Sequence, residues 1–203
     1  YGCGDAKRYG KLLMERGVAY KGFDISAAAV ATANELGVPV QQLTPGGKTS
    51  LAEGTCDVAI CFEVLEHLME PEVALKEIHR VLKPDGVALF SVPNAAYWVT
   101  RMEFLLSGFL NPGGSPLTAR LAPWNDAHIR FFNTTLLDRM LEKNGFKVVG
   151  RMGEPLTFKS LPYFYRKSGW HPFLTLCSLP VSWLGLAIPG LFSTRLFREV
   201  RKI

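Results

Sequence analysis

The sequence predicts an α/β fold built on a mostly parallel sheet. Short apolar runs alternate with stripes of apolar residues at helical spacing, which is the pattern of strand–helix units around such a sheet. The chain has 203 residues, of which 48% are hydrophobic and 20% are charged. A chain of this length and composition can bury one core with an appendage, and it is neither disordered nor collagen-like.

The first quarter of the chain contains two predicted helices and two predicted strands. Apolar residues at helical spacing predict a helix that ends at Gly17, and a strand over 18–24 follows it. A second helix is predicted over 27–36 and a second strand over 38–43. Residues 44–54 are polar and rich in glycine, so we predict a loop there.

The middle of the chain repeats this pattern. Residues 57–62 predict a short buried strand. Pro71 is tolerated in the first turn of a helix, and apolar residues then recur at helical spacing until the Pro-Asp-Gly of 84–86 ends the pattern. A further strand is predicted over 87–92.

The regular pattern weakens beyond these elements. Residues 97–110 predict an aromatic-rich helix. Asn133 is a good N-cap for a helix over 134–144, which is followed by a strand over 146–151. We predict a last strand over 196–202, at an edge of the sheet.

The four cysteines favour a reducing compartment. They show neither a Cys-x-x-Cys spacing nor a paired framework: Cys3, Cys56, Cys61 and Cys177. A disulfide scaffold and a structural zinc site are therefore not supported, and we expect a cytoplasmic protein.

Positive charge is concentrated at the end of the chain. The net charge of +5 combines −1 over 1–150, from 15 basic and 16 acidic residues, with +6 over 151–203, from 8 basic and 2 acidic residues. Basic residues flank an uncharged run over 168–194, which indicates a membrane surface rather than nucleic acid as a partner. We therefore divide the chain into a core, 1–152, and a basic, apolar extension, 153–203.

A glycine pair and an acid suggest a nucleoside-cofactor site. Gly2-Cys3-Gly4 precedes the first helix, and Asp24 lies twenty residues after Gly4. Glycines at a strand-to-helix turn let backbone N–H groups approach a ligand, and an acid at the tip of the next strand can accept both ribose hydroxyls. An ordinary glycine loop is the alternative. Lys7 stands where a dinucleotide motif requires glycine, which argues against NAD.

Four motifs then carry a resemblance to a known family. They read Cys-Phe-Glu-Val-Leu-Glu-His-Leu at 61–68, Val-Leu-Lys-Pro-Asp-Gly at 81–86, Phe-Ser-Val-Pro-Asn at 90–94 and Asp-Ala-His-Ile-Arg-Phe-Phe at 126–132. In this order, the chain over about 1–150 resembles the class I S-adenosylmethionine-dependent methyltransferases of the small-molecule type. The resemblance implies a Rossmann-like sheet with S-adenosyl-L-methionine as cofactor.

The resemblance also assigns the cofactor site. It implies that the cofactor loop is Gly2, Cys3 and Gly4, that Asp24 binds the ribose with Ile25 beside the adenine, and that Phe62 borders the site. The family's third glycine is Ala6 here, and Gln42 stands where the family often has an acid. The family's first, central strand is missing and should precede Tyr1, so the chain resembles one truncated at its N-terminus.

Candidate groups for proton transfer and metal binding follow the strand at 57–62. If the segment turns helical, Glu63, Glu66 and His67 lie on one face at i, i+3 and i+4, with His128 approaching from a loop. The candidate catalytic residues are His67, Glu63 and His128. All four resemble the Glu-x-x-Glu-His site of ubiquinone-pathway and small-RNA terminal methyltransferases, which implies a divalent metal ion that binds a vicinal diol or catechol. The alternative is a metal-free site in which the carboxylates cap backbone amides and His67 packs in the core.

Two functions from different classes follow. The first is methyl transfer to a small-molecule or lipid-linked acceptor, at a hydroxyl of a sugar or of a quinone-like molecule, because the family has members in cell-envelope and quinone pathways. The second is a non-catalytic scaffold that binds S-adenosylmethionine. No nucleic-acid partner is expected.

The C-terminal extension has two alternative roles. Prolines and glycines interrupt its apolar run, so peripheral membrane contact through 168–198 is favoured over spanning. Alternatively, the run is a lid over the acceptor pocket that packs against residues 97–110. The membrane hypothesis assigns lipid contacts to Leu174, Leu176, Trp183, Leu186 and Phe192, and headgroup contacts to Arg166, Lys167, Arg195 and Arg198.

Overall fold

Two groups of β-strands form the frame of the molecule. The computed structural model describes residues 1–44, 46–108, 127–154 and 183–203. Its helices are α1 (Gly10–Glu15), α2 (Ala27–Glu35), α3 (Pro71–Val81), α4 (Trp98–Ser107), α5 (Thr134–Lys143), α6 (Leu184–Ala187) and α7 (Pro189–Phe192). Its strands are β1 (Gly22–Asp24), β2 (Val40–Gln42), β3 (Cys56–Phe62), β4 (Leu82–Pro93), β5 (Phe146–Gly153) and β6 (Arg195–Lys202).

The four-stranded sheet has the order β3-β4-β6-β5, and β1 pairs with β2 in a separate ribbon. The pairs β1–β2 and β3–β4 are parallel, whereas β6 is antiparallel to both of its neighbours. The α/β prediction is confirmed. The four-stranded sheet is mixed, because β3, β4 and β5 run in one direction and β6 runs in the opposite one.

The position of β6 corrects the sequence prediction in a second way. Its existence is confirmed, but it lies between β4 and β5 and is therefore not an edge strand. Alternate residues Leu196, Arg198 and Val200 are buried, as expected for a strand covered on one face. The end of the predicted extension thus completes the core sheet.

Two amphipathic helices cover the hydrophobic core. On α3 the buried apolar positions are Ala74, Leu75, Ile78 and Val81. On α5 the Asn133 side chain accepts a hydrogen bond from the N–H of Leu136 at 2.9 Å, which confirms the predicted N-cap. Both helices begin at the predicted residue because the cap and the apolar stripe act over neighbouring positions.

The strand boundaries were harder to predict. β1 is shorter than the predicted strand over 18–24, and Val18 is 48% exposed, so its apolar side chain does not mark a buried strand. β4 begins at Leu82, directly after α3, whereas the predicted strand begins at residue 87. Between Leu82 and Val87 the register with β3 shifts, and Asp85 in this irregular stretch has a positive φ of +59°.

The first residues of the chain lie between the two groups of strands. The terminal ammonium of Tyr1 donates to the carbonyl of Ile60 in β3 at 2.8 Å. The N–H of Gly2 donates to the carbonyl of Phe23 in β1 at 2.7 Å. These two contacts link the start of the chain to both β1 and β3.

Two basic residues of the predicted extension, Arg195 and Arg198, form ion pairs with carboxylates. Arg198 is fully buried and its Nε donates to Asp138, whose other oxygen bonds Arg151 at 2.8 Å. Arg195 is held by carboxylates, as described below. The prediction that Arg198 contacts lipid headgroups is therefore wrong, because its charge is buried and paired inside the fold. The side chain of Arg195 is 45% exposed beside its carboxylate partners, so its headgroup contact stays a prediction.

The other predicted membrane contacts include residues that the structure describes and residues that lie outside the described part of the chain. Trp183 and Leu186 are 56% and 53% exposed, whereas Phe192 is partly buried. Leu174, Leu176, Arg166 and Lys167 lie outside the described residues. Among the residues that the structure describes, no helix has the length and apolar character needed to cross a membrane.

Candidate active site

The predicted cofactor residues meet at the carboxyl ends of the strands. Asp24 is the last residue of β1, and Phe62 is the last residue of β3. The N–H groups of Gly2 and Cys3 both donate to the carbonyl of Phe23, at 2.7 and 3.2 Å. These bonds place the glycine loop against the tip of β1, which is where parallel α/β sheets bind ligands.

The carboxylate of Asp24 is oriented by two backbone amides. The N–H of Gly4 donates to Oδ2 at 2.7 Å, and the N–H of Ser26 donates to Oδ1 at 2.9 Å. Each carboxylate oxygen has a second lone pair. Asp24 is therefore fixed in place and can still accept hydrogen bonds from a ligand.

The glycine loop contains three residues in the left-handed region. Gly2 and Gly4 have φ of +66° and +55°, and Ala6, at the position of the family's third glycine, has φ of +51°. A Cβ on Gly2 would lie 2.4 Å from the side chain of Val64, so only glycine fits there. A Cβ on Gly4 would meet no atom of the described residues within 4 Å, which leaves this backbone open to a ligand.

Two neighbouring side chains border the same region. Ile25 follows Asp24 and is 71% exposed, so its apolar side chain is accessible to a ligand beside the carboxylate. Gln42, at the end of β2, donates from Nε2 to the carbonyl of Ile25 at 3.1 Å. The amide that replaces the family's acid thus braces the backbone beside Asp24.

The remaining two predicted cofactor residues have contrasting surroundings. The ring of Phe62 makes edge-to-face contacts with Tyr9 at 5.6 Å and Phe197 at 5.8 Å between centroids. Cys3 is partly buried, and burial raises the pKa of its thiol. A protonated thiol is a poor nucleophile, so Cys3 is a structural member of the loop.

A buried carboxylate without partners lies after β3. Glu66 is 1% exposed, and neither of its carboxylate oxygens has a hydrogen-bond partner among the described residues. Burial, together with the negative charge of Glu63, raises the pKa of Glu66 to about 7, against the opposing effects of its own nearby backbone N–H, of His67 and of Arg195. A buried charged group is normally paired or binds a cation.

Two imidazoles accompany Glu66. The rings of His67 and His128 stack with centroids 4.8 Å apart, and one potential ligand atom from each of the three residues lies within 4.8 Å of the others. The Nδ1 atom of His67 lies 2.9 Å from the carbonyl of Ala127. Since a carbonyl can only accept, Nδ1 carries the proton, and the lone pair of Nε2 is available for a cation or a proton.

Glu63 does not join this cluster. It has φ of +55°, and the helical turn that follows is a short 3-10 helix over Leu65–His67. Its oxygens accept hydrogen bonds from Ser91 Oγ at 2.8 Å and from Arg195 Nε at 2.9 Å. The prediction that Glu63 lies on one helical face with Glu66 and His67 is wrong, because the left-handed residue turns its side chain out of that face.

Comparison with known proteins identifies the family. The family described as "Methyltransferase domain" matches residues 1–150. The chain belongs to this family. The resemblance to class I S-adenosylmethionine-dependent methyltransferases is confirmed.

Relatives and solved structures agree with this assignment. The chain is 35% identical over 103 residues to a protein of Mycolicibacterium smegmatis named a probable S-adenosylmethionine-dependent methyltransferase, covering 51% of this chain and 33% of the relative. It is 32% identical over 99 residues to the ubiquinone biosynthesis O-methyltransferase of Pseudomonas paraeruginosa, covering 46% and 42%. The chain thus spans less than half the length of these two curated relatives.

The fold of this chain also matches solved structures. A SAM-dependent methyltransferase from Archaeoglobus fulgidus has a TM-score of 0.62 at 17% identity, covering 100% of this chain and 83% of that one. One from Mesorhizobium loti has a TM-score of 0.59 at 17% identity, covering 99% and 88%. At this identity the likeness shows the fold alone.

The residues present fit the cofactor that the family implies, and three of them could also hold a cation. The open backbone at Gly4, the oriented carboxylate of Asp24 and the exposed Ile25 suit a nucleoside cofactor. The Nε2 of His67 lies 3.8 Å from Oε1 of Glu66, which exceeds a hydrogen bond but is within the about 4 Å that two ligands of one ion can span. The unpartnered oxygens of Glu66 suit a cation.

Two residues beside this cluster, Ser91 and Arg195, were not predicted from the sequence as part of the site. Ser91 and Arg195 bind Glu63, yet Arg195 was assigned to a membrane surface and Ser91 was not singled out. The only sequence signal at Ser91 is its place in the 90–94 motif. Arg195 has no local signal, because β6 reaches β4 across more than a hundred residues of chain.

Proposed function

We propose that this methyltransferase transfers a methyl group from S-adenosylmethionine to a hydroxyl of a small-molecule or lipid-linked acceptor. The observation that carries the proposal is the pair of unpartnered, buried oxygens of Glu66 beside His67 and His128. Such a cluster can hold a cation or a proton next to an acceptor. The ubiquinone O-methyltransferases among the relatives support a quinone-like hydroxyl, and a sugar hydroxyl is the alternative acceptor.

Methyl transfer requires positioning and the removal of one proton. S-adenosylmethionine, when bound, supplies a methyl group already activated by its sulfonium. Asp24 and the Gly2–Gly4 loop hold the ribose end of the cofactor site, and Phe62 borders it. Without a bound ion, His67 can accept the acceptor's proton at Nε2, because its Nδ1 proton is held by the carbonyl of Ala127. His128 stacks on this ring and fixes its plane.

We further propose that Glu66, His67 and His128 hold a divalent metal ion. Such an ion would lower the pKa of a bound hydroxyl and orient the acceptor. The donor set has two imidazoles and one carboxylate, since Glu63 is bound elsewhere. Imidazole suits transition metals, whereas Mg²⁺ prefers oxygen, so we expect Mn²⁺, Fe²⁺, Co²⁺ or Zn²⁺ rather than Mg²⁺.

Chelation tests this function. Turnover of a catechol or quinol acceptor with S-adenosylmethionine should be lost in excess chelator and restored by Mn²⁺, because the ion supplies the acidity of the hydroxyl. Production of S-adenosylhomocysteine is the measurement. Binding of S-adenosylmethionine should be unaffected by the chelator, which is the control. Full turnover in excess chelator would contradict the metal role and leave His67 as a metal-free base.

A non-catalytic scaffold is the alternative function. It is favoured by the replacement of the family's acid by Gln42, whose amide bonds Ile25 instead of being free for the adenine. Isothermal titration calorimetry and a turnover assay on the full protein separate the two functions. Binding of S-adenosylmethionine without turnover of sugar, catechol or quinol acceptors would support the scaffold.

We also propose a cytoplasmic protein that contacts the membrane surface. The exposed side chains of Trp183, Leu186 and Ile188, which are 56%, 53% and 49% exposed, support such contact. In liposome flotation with anionic vesicles, the protein should float with the lipid, and a Trp183→Ser, Leu186→Ser variant should float less because it loses apolar contact. A wild-type protein that stays in the soluble fraction would contradict the membrane role and favour the lid.

A further inference from the structure

An ion-pair network joins the turn after β3 to β6, beside the proposed cation cluster. Arg195, the first residue of β6, donates from Nε to Oε2 of Glu63 and from Nη1 to Oε1 of Glu154, both at 2.9 Å. The second oxygen of Glu63 accepts from Ser91 Oγ at 2.8 Å. Both carboxylate oxygens of Glu63 are therefore held by donors.

The backbone of Glu63 is held as firmly as its side chain. Its φ of +55° is uncommon for a residue other than glycine. Its N–H donates to the carbonyl of Ser91 at 3.0 Å, so Ser91 binds the main chain and the side chain of the same residue. A sparsely populated conformation persists only where its surroundings fix it, and here β4 and β6 do so.

Arg195 is itself fixed from the opposite side. Oε2 of Glu154 accepts from the hydroxyl of Thr194 at 2.6 Å, and the N–H of Glu154 donates to Ser193 Oγ at 2.7 Å. The guanidinium thus lies between two carboxylates that follow different strands. Arg195 suits this bridge because a planar guanidinium presents donors to two partners at once, which an ammonium does less well.

We propose that Arg195 is a positioning residue that holds Glu63 outside the cluster of Glu66, His67 and His128, and thereby weakens the binding of a divalent ion there. The inference rests on the proposed function, in which this cluster binds the ion. Glu63 lies three residues before Glu66, but its carboxylate is not among the potential ligand atoms that lie within 4.8 Å of one another. To join an ion there it must move away from Arg195 and Ser91, so these donors compete with the ion for the position of the carboxylate.

The charges of the pair already act on the cluster. Glu63 lies three residues before Glu66, and the guanidinium of Arg195 lies 2.9 Å from the Glu63 carboxylate, so both charges are near the cluster. A simpler explanation follows from this proximity. Arg195 could weaken cation binding through its positive charge alone, whatever the position of Glu63. The two explanations differ in whether Glu63 is needed.

The test compares Mn²⁺ affinity in variants of the full chain, measured from the electron paramagnetic resonance signal of the free ion. Arg195→Lys keeps the charge but removes the two-partner geometry, and should bind Mn²⁺ about three- to tenfold more tightly. Ser91→Ala should shift the affinity in the same direction by less. In the Glu63→Gln background, Arg195→Lys should produce no gain.

Arg151→Lys is the matched control. Arg151 is also ion-paired, with Asp138, and lies on the neighbouring strand β5, so this variant should leave the Mn²⁺ affinity unchanged. Thermal unfolding and S-adenosylmethionine binding show that each variant is folded.

If the wild type binds Mn²⁺, the proposed cation site is supported, and two outcomes would then overturn only the inference about Arg195. One is an unchanged affinity in both Arg195→Lys and Ser91→Ala. The other is an equal gain with and without Glu63, which would mean that Arg195 acts without that residue. A protein that binds no Mn²⁺ in any variant would instead overturn the proposed cation site, and this inference with it, while methyl transfer would still be tested by turnover.

Discussion

Replacing Asp24 with alanine should weaken the binding of S-adenosylmethionine by about ten- to a hundredfold. The carboxylate ends β1 and is held between the N–H groups of Gly4 and Ser26. Its removal deletes the acceptor predicted for the ribose hydroxyls and releases one anchor of the glycine loop. Isothermal titration calorimetry of the purified protein gives the dissociation constant.

Asp57→Ala is the matched control for this prediction. Asp57 lies near the start of β3, at the opposite end from the cofactor site, where its side chain is 80% exposed and pairs with Lys83. The same loss of a carboxylate there should leave the dissociation constant unchanged, since exposed ion pairs contribute little. If Asp24→Ala bound the cofactor as tightly as the wild type, the assignment of Asp24 to the ribose would fail.

Replacing Glu66 with glutamine should change how stability depends on pH in the ion-free protein. Burial raises the pKa of Glu66 from 4.5 to about 7, so the folded protein takes up a proton that the unfolded chain does not bind between these values. The wild type should therefore lose stability as pH rises from about 4.5 to 7. Glutamine does not titrate, so the free energy of unfolding of Glu66→Gln should not fall in this way. The difference between the variant and the wild type should therefore increase by about 3 kcal/mol, in favour of the variant, from pH 4.5 to 7.

Glu77 offers the opposite case for the same substitution. Burial alone would raise its pKa, but hydrogen bonds from Arg80 and Thr49 lower it to about 2. A lowered pKa stabilises the folded state above pH 4.5, and this contribution is lost as pH falls toward 2. The free energy of unfolding of Glu77→Gln should therefore be about 3 kcal/mol lower than that of the wild type at neutral pH, and this difference should disappear in acid.

Urea unfolding at a series of pH values measures both differences. The change of each difference with pH is the informative quantity, because a buried glutamine carries its own desolvation cost. Addition of Mn²⁺ at pH 8 should stabilise the wild type, by about 2.7 kcal/mol at a hundred times the dissociation constant, and should not stabilise Glu66→Gln. A difference between Glu66→Gln and the wild type that stays flat from pH 4.5 to 8 would contradict the buried, unpartnered state of Glu66.

Local patterns were sufficient to predict several elements and their neighbours. The helices α3 and α5 follow from an apolar stripe with Pro71 at the start of one and Asn133 before the other. The turn at Gly2 and Gly4 was predictable because both have a positive φ, which glycine adopts without a steric penalty. The place of Asp24 at the end of β1 was predictable because the strand pattern ends on this acid.

The predictions failed where one element meets another that is distant in sequence. No pattern within 196–202 indicates that β6 is flanked by β4 and β5, because an alternating strand has the same pattern at an edge as inside a sheet. The reversal of β6 also made the sheet mixed. The basic residues Arg195 and Arg198 resembled a membrane flank, although each has a carboxylate partner supplied by another part of the fold.

For the candidate metal cluster, too, some features follow from the sequence and others only from the tertiary structure. The sequence by itself determined the chemistry of this protein's site: the residue types at 63, 66, 67 and 128, and the family that carries them. Only the tertiary structure decided which of these side chains meet. A positive φ at Glu63, stabilised by Ser91 and Arg195, directs one carboxylate to β6 and leaves Glu66 buried with two imidazoles. Spacing along the chain cannot specify this outcome, because the deciding partners are 28 and 132 residues away.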